Sequence, residues 1–286
     1  MWQLNRNAFG LGWRPELAAA IFANLDAIDV VEVIADDWLD AGASELRALR
    51  LLSSSVPVLL HATSLGLASS ERVSDRRLER LARVIDAARP VAWSEHLAFV
   101  RGGGVEIGHL AAPPRTRATI DGLAANVARA RAITGSAPIL ENIATLIEPP
   151  LSDLSEPEFV RDAIRACDTS LLLDLHNLHA NAVNFGWNPH DLFDVIDALP
   201  VGYVHLAGGR PVQGGGETRI LDDHLHPTPD PVFALLHELE QRRDAPLTVV
   251  LERDGRYPPF DELLGELDRA RHVLHDDRSL PRAAVR

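Results

Sequence analysis

The chain alternates between short apolar runs and amphipathic stretches. The runs occupy residues 8–12, 27–34, 56–61, 91–96, 139–142, 171–175, 201–206 and 248–252. They are rich in Val, Ile and Leu with little polar alternation, as strands covered on both faces of a parallel sheet are. Between them the period changes. Residues 75–88 place Leu78, Leu81, Ala82 and Ile85 at three- and four-residue spacing, which predicts a helix. Residues 116–133, 156–166, 189–199, 231–241 and 259–274 behave the same way. Pro15, Pro157, Pro189, Pro231 and Pro259 each stand near a predicted helix start, where a missing N–H costs nothing.

Eight strands alternating with helices over this length predict an α/β protein, a single TIM-like (β/α)8 barrel. Residues 1–275 form the expected barrel domain and 276–286 a flexible tail. A doubly wound sheet is the competing architecture, but Gly10-Leu11-Gly12-Trp13-Arg14-Pro15 lacks the third glycine of a dinucleotide fingerprint. Two longer stretches, residues 101–116 and 207–231, read as active-site loops after strand ends.

The chemistry lies where the predicted strands end. Glu32 is in the second, followed by Asp36 and Asp37. The third ends at His61, the fourth at Glu95-His96 and the fifth at Glu141-Asn142. The sixth ends at Asp174, followed by His176 and Asn177; the seventh ends at His205, with Asp222-Asp223-His224 beyond it. The eighth ends at Glu252, followed by Arg253 and Asp254. A barrel gathers all strand C-termini on one face. So many carboxylates in one bowl repel unless cations neutralise them. Imidazoles mixed with carboxylates and no thiolate suit Fe, Mn or Zn better than Ca or Mg, and the number of candidates favours two or three ions. Any one of these residues alone could equally be a loop cap. His109, His190, His237, His272 and His275 read as surface residues, and His179 and His226 are ambiguous. Trp13, Arg14 and Trp38 are candidates for a substrate pocket; Trp93 and Trp187 also stand near strand ends, and core packing is the stronger reading of all four tryptophans. The arginine-rich stretch 72–83, interleaved with acids, reads as a solvated helix face.

Composition narrows the chemistry further. The 286 residues include no lysine, so all 28 Lys+Arg are arginine, and Schiff-base and P-loop lysine chemistry are excluded. The single cysteine, Cys167, rules out an internal disulfide or iron–sulfur cluster and reads as buried and structural. A net charge of -13 argues against nucleic acid or an anionic membrane as partner. With no signal peptide or membrane span in the pattern, the cytoplasm is the expected location.

At these same residues the sequence resembles the multinuclear non-haem iron-dependent oxidative enzymes, the family of the iron subunit of methanobactin biosynthesis, formerly a domain of unknown function. The matching motifs run from Gly10-Leu11-Gly12 with Arg14, through Glu32-Val33-Ile34 and Trp38, His61 with Ser64-Leu65 and Ser94-Glu95-His96-Leu97. They continue through Pro114 with Thr116, Leu140-Glu141-Asn142, Leu173-Asp174 with Asn177 and Asn181, and His205-Leu206-Ala207-Gly208. Asp222-Asp223-His224 with His226-Pro227 and Pro229, then Leu251-Glu252-Arg253-Asp254, complete the set. The resemblance implies a TIM-like barrel whose mouth holds two or three iron ions of mixed valence. With dioxygen as co-substrate, these modify a residue, most often cysteine, of a ribosomally made precursor peptide that a small partner protein presents. Carried over by position, the ligands are His61, His96, Glu141, Asp174, Asn177, His205, Asp222, His224 and Glu252. Glu95, His176, Asn142 and Asp254 are extra ligands or orienters. The chain departs from the family in having His176-Asn177 for an asparagine pair, His179 for tyrosine, Gly209 for histidine, Asp36-Asp37 for Glu-Asn and Arg115 for the tyrosine before Thr116. Two alternatives stay open: a xylose-isomerase-like divalent-metal isomerase, epimerase or endonuclease, and a non-catalytic scaffold of a peptide-modifying complex.

Overall fold

The computed structural model describes residues 6–214 and 216–274. The expected tail at 276–286 and His275 lie outside the described residues. Eight parallel strands close into a barrel in chain order: β1 (Ala8–Gly12), β2 (Val30–Ile34), β3 (Val58–Ala62), β4 (Trp93–His96), β5 (Ile139–Glu141), β6 (Leu171–Asp174), β7 (Val201–Leu206) and β8 (Thr248–Leu251), with β8 pairing back onto β1. This is the (β/α)8 barrel that the pattern predicts.

Alternation along each strand builds two cores. Val31 and Val33 of β2, Leu60 of β3, Leu140 of β5, Leu171 and Leu173 of β6, Val204 of β7 and Val249 of β8 join the large cluster between strands and helices. The intervening side chains point into the barrel. There Val30, Leu59, Leu172, Tyr203 and Val250 form a separate plug, with Ala92 and Ile139 packed against it. Two residues further along the same strands stand Glu32, His61, Asp174, His205 and Glu252, while Ser94 and Glu141 follow Ala92 and Ile139 at the same interval. Each of these strands thus carries an apolar residue in the plug layer and a polar one in the layer above, the layered filling expected of such barrels.

The helices outside start where local chemistry allows. Ser155 accepts from the Glu158 amide while the Glu158 carboxylate accepts from the Ser155 amide at 2.9 Å, a capping box opening Glu156–Cys167. A helix and two hairpins differ from expectation. Residues after Asp174 form a helix, Leu175–Phe185, that starts directly on β6 with the Asp174 carboxylate as its N-cap. Each long loop also contains an antiparallel hairpin, Phe99–Gly102 with Val105–Ala111 and Arg210–Gly214 with Glu217–Leu221. Among the described residues no helix is long and apolar enough to cross a membrane.

Cys167 ends its helix in the core, and burial pushes its thiol up to about 12. The thiolate is the reactive form. Iodoacetamide at pH 8 should therefore leave Cys167 unmodified in the native protein and alkylate it in denaturant. Intact-mass measurement reads this directly, and fast native alkylation would contradict the burial.

Candidate metal centre

Strand register sets the first neighbours. His96 lies opposite Glu141 across β4 and β5, and Asp174 opposite His205 across β6 and β7. The barrel mouth then brings together three groups of ligand-type side chains. In the first, His61 Nε2 and His96 Nε2 are 3.3 Å apart, and each is 3.4 Å from Glu141 Oε2. In the second, His205 Nδ1 lies 3.5 Å from Glu141 Oε1, 3.1 Å from Glu252 Oε2 and 3.8 Å from Asp174 Oδ2. In the third, Asp222 Oδ1 is 2.8 Å from both His176 Nδ1 and His224 Nε2. Glu141 belongs to the first two groups. Glu252 reaches toward the third, 3.4 Å from His224 Nδ1.

The spacing and the unmet hydrogen bonds fit metal ions. Nitrogen and oxygen ligands ~2.0–2.1 Å from one tetrahedral ion sit about 3.3–3.4 Å from each other, which is the triangle of the first group. Glu141 Oε2, Asp174 Oδ2, Asn177 Oδ1, His205 Nδ1 and His224 Nε2 are buried with no hydrogen bond. Buried polar atoms are nearly always paired. Left unpaired in this way, they are free to share a cation.

Electrostatics point the same way. Burial holds His61 well below the ordinary imidazole range, helped by neighbouring His96, and pushes His96 down to about 4. Both rings are neutral and can offer lone pairs. Burial raises Glu141 and Asp174, with other carboxylates adding to the rise. Burial opposes protonation of His205 and His224, but the surrounding carboxylates, Glu252 for both, override it and hold both imidazoles well above their usual range. Without a cation, the cluster compensates its own charge with protons. His224 also has a left-handed backbone, φ 53°, a conformation that costs non-glycine residues stability and tends to concentrate at functional sites.

The remaining sequence candidates fall into distinct places. Asn142 is spent on backbone: it donates to Asp174 O and accepts from the Asp174 amide, both at 2.9 Å, which positions Asp174. Asn177 Nδ2 donates to Asn142 O, leaving its buried Oδ1 near the cluster. Glu95 points out of the barrel and accepts from the Gly66 amide at 2.9 Å. Asp254 Oδ2 lies 3.3 Å from His224 Nδ1, and its other oxygen pairs with Arg14. Trp13 packs edge-on against Phe22 at 5.6 Å, and Trp38 is packed against the core. Trp93 and Trp187 do not belong to the mouth: Trp93 starts β4 and is buried, and Trp187 follows the Leu175–Phe185 helix. His109, His190, His237 and His272 are exposed.

His176 packs against Gly209. A Cβ placed on Gly209 would lie 2.7 Å from His176 Cε1 and 2.2 Å from Leu221 O. The Leu221 carbonyl and the His176 imidazole together take the room that a side chain at 209 would need. The sequence assigns no role to Ser94, which lies in the layer of His61, to Tyr203 in the plug below, or to Glu32 as a partner of His205. The two-residue period of the barrel interior is the signal that points to them.

Residues 8–275 match the family described as "RiPP precursor modification enzyme MbnB/TglH/ChrH". A UPF0276 protein of Streptomyces avermitilis is 38% identical over 272 residues, 93% of this chain, although the chain spans only 54% of that relative's length. A UPF0276 protein of Caulobacter vibrioides is 30% identical over 266 residues, 93% of each chain. Among solved structures, D-psicose 3-epimerase from Clostridium cellulolyticum aligns at TM-score 0.61 and 13% identity over 93% of this chain and 99% of that one. Endonuclease IV from Thermus thermophilus aligns at 0.59 and 17% over 94% and 99%. At those identities the likeness concerns the barrel alone. With the match covering the whole barrel and every strand-end residue described above, the chain belongs to the MbnB/TglH/ChrH family of RiPP precursor modification enzymes.

Proposed function

We propose that this enzyme holds iron at the three groups of its barrel mouth and uses dioxygen to oxidise a cysteine of a ribosomally made precursor peptide, which a small partner protein presents. The observation that carries the reading is the convergence of buried, hydrogen-bond-free ligating atoms at the mouth. His61, His96 and Glu141 would hold one ion. Glu141, Asp174, His205 and Glu252 would hold the second, and His176, Asp222 and His224 the third, with Asn177 Oδ1 as a further ligand. Bound iron would supply one-electron redox chemistry and Lewis acidity. The chain's own residues do the rest. Asn142 and Asp254 fix Asp174 and His224, and Arg14 places a cation above Glu252 and Glu32 at the rim. Cys167 is too buried to react, so thiol chemistry belongs to the substrate.

The test is anaerobic loading of metal-free protein with Fe(II), metal analysis and Mössbauer spectroscopy, then exposure to dioxygen with a cysteine-bearing precursor peptide. The expected result is three irons per chain, mixed valence on partial oxidation and a mass change on the peptide. His176→Ala should hold two irons and keep the first two groups. Stoichiometric zinc in place of iron, or an unchanged peptide with iron loaded, would overturn the reading.

A further inference from the structure

Inside the barrel a buried chain of hydrogen bonds, dipping to Tyr203 in the plug, joins the first group to the second. His61 Nδ1 is 2.7 Å from Ser94 Oγ. Ser94 Oγ is 2.6 Å from the Tyr203 hydroxyl, which is 2.6 Å from Glu32 Oε2. His205 Nε2 lies 3.0 Å from each Glu32 oxygen. All five residues are buried.

The hydrogen count leaves one arrangement. A carboxylate accepts and cannot donate, while a hydroxyl has one hydrogen. Tyr203 must therefore give its hydrogen to Glu32, the charged acceptor. Ser94 must then give its own hydrogen to Tyr203, because otherwise two oxygens would meet at 2.6 Å with nothing between them. The alternative acceptor for Ser94, Leu60 O, is 3.4 Å away. With its hydrogen spent, Ser94 can only accept from His61, so His61 carries its proton on Nδ1. His205 carries one on Nε2, facing Glu32. Every hydrogen in the chain points toward Glu32, and the nitrogens that face the mouth, His61 Nε2 and His205 Nδ1, are the ones the chain assigns to a ligand. His96 has no such support: its Nδ1 is buried without a hydrogen bond.

Resting on the reading that His61 and His205 ligate iron, we infer that Tyr203 is a positioning residue shared by two metal centres. Through Ser94 it fixes the ring form and tilt of His61, and through Glu32 those of His205. Outer partners of ligand histidines typically contribute about 10–100-fold to metal affinity. A single residue supporting two ions predicts a pattern that general damage to the fold does not.

Fe(II) titration of metal-free protein against a competing chelator, under anaerobic conditions, reads it. Ser94→Ala should weaken one ion about 10–100-fold, at the His61 group. Glu32→Gln should weaken one ion, at the His205 group. With its oxygen toward the Tyr203 hydroxyl, the amide leaves the His61 half of the chain intact and sets an N–H donor against the ring N–H of His205, which is 3.0 Å from both positions. Tyr203→Phe, which keeps the ring in the plug, should weaken both and spare the ion at His176, Asp222 and His224. In a His96→Ala background Ser94→Ala should add nothing further, while Tyr203→Phe should still weaken the His205 group. If wild-type protein binds three irons and Tyr203→Phe binds them equally well, or weakens all three alike, the inference fails. Wild-type protein without iron at the first two groups overturns the functional reading instead. If Tyr203→Phe does not fold, the opposite single losses of Ser94→Ala and Glu32→Gln decide the question; equal effects of both on one ion would refute the chain.

Discussion

Glu141→Ala should remove two irons at once and abolish peptide modification while leaving the barrel folded. One carboxylate serves both inner groups, with Oε2 at 3.4 Å from the His61 and His96 nitrogens and Oε1 at 3.5 Å from His205 Nδ1. Other ligand-type residues belong to a single group. The substitution deletes a buried carboxylate that burial and neighbouring carboxylates push above its usual range, so it relieves repulsion in the metal-free state. Sites that need such clusters trade stability for function. The metal-free variant should melt no lower than metal-free wild type, yet bind one iron, at the His176 group. The added stability of the loaded wild type, ~4 kcal/mol at metal a thousandfold above its Kd, should shrink with it. Thermal melts with and without Fe(II), beside metal analysis, check both halves. Two or more irons retained would show that Glu141 is not shared.

Gly10→Ala should have the largest effect on stability. A Cβ at this position would sit 1.9 Å from Val30 O and 2.6 Å from Val30 Cγ1. The clash is with backbone of β2, opposite Gly10 in the register, so no side-chain rotation relieves it. Strands β1 and β2 must part, and the closed barrel has no free edge to absorb the shift. The expected cost is above ~4 kcal/mol, a range that single substitutions rarely reach. At roughly 2–4 °C per kcal/mol for a chain of this class, the melting point should fall by about 10 °C or more, or the protein should fail to accumulate in soluble form. A melt within about 2 °C of wild type would show that β1 tolerates the displacement.

The barrel was legible in the sequence because all eight strands are covered on both faces and therefore read as apolar runs. The boundaries moved by a few residues at most, as where β2 starts at Val30 instead of residue 27. The ligand-type residues were legible because barrel topology sends every strand end to one face. Other features were hidden for physical reasons. The helix after Asp174 runs through His176-Asn177-Leu178-His179 in its first turns, residues that are mostly polar with weak helical preference, and is set by tertiary packing and the Asp174 cap. That helix is why His176 can turn toward Asp222. The hairpins lie in glycine-rich stretches whose strands are open to solvent, such as Val105–Ala111, and carry no apolar run. Ser94 and Tyr203 sit one layer below the strand ends, where only the inward-facing period marks them. Trp93 stands three residues before His96, yet it opens its strand at the far end, packs in the core as its size predicts, and donates to Ser136.

The apolar plug of Val30, Leu59, Leu172, Tyr203 and Val250 gives the barrel a floor. The vessel has one opening, so whatever reaches the acidic cluster must enter and leave over the same rim. A polypeptide cannot be threaded through it. It can offer a terminus or a tight bend, and in a bend the two flanking segments must leave side by side across the rim. The number of residues that fit into that bend, more than the identity of distant ones, would then set which position of a peptide is within reach.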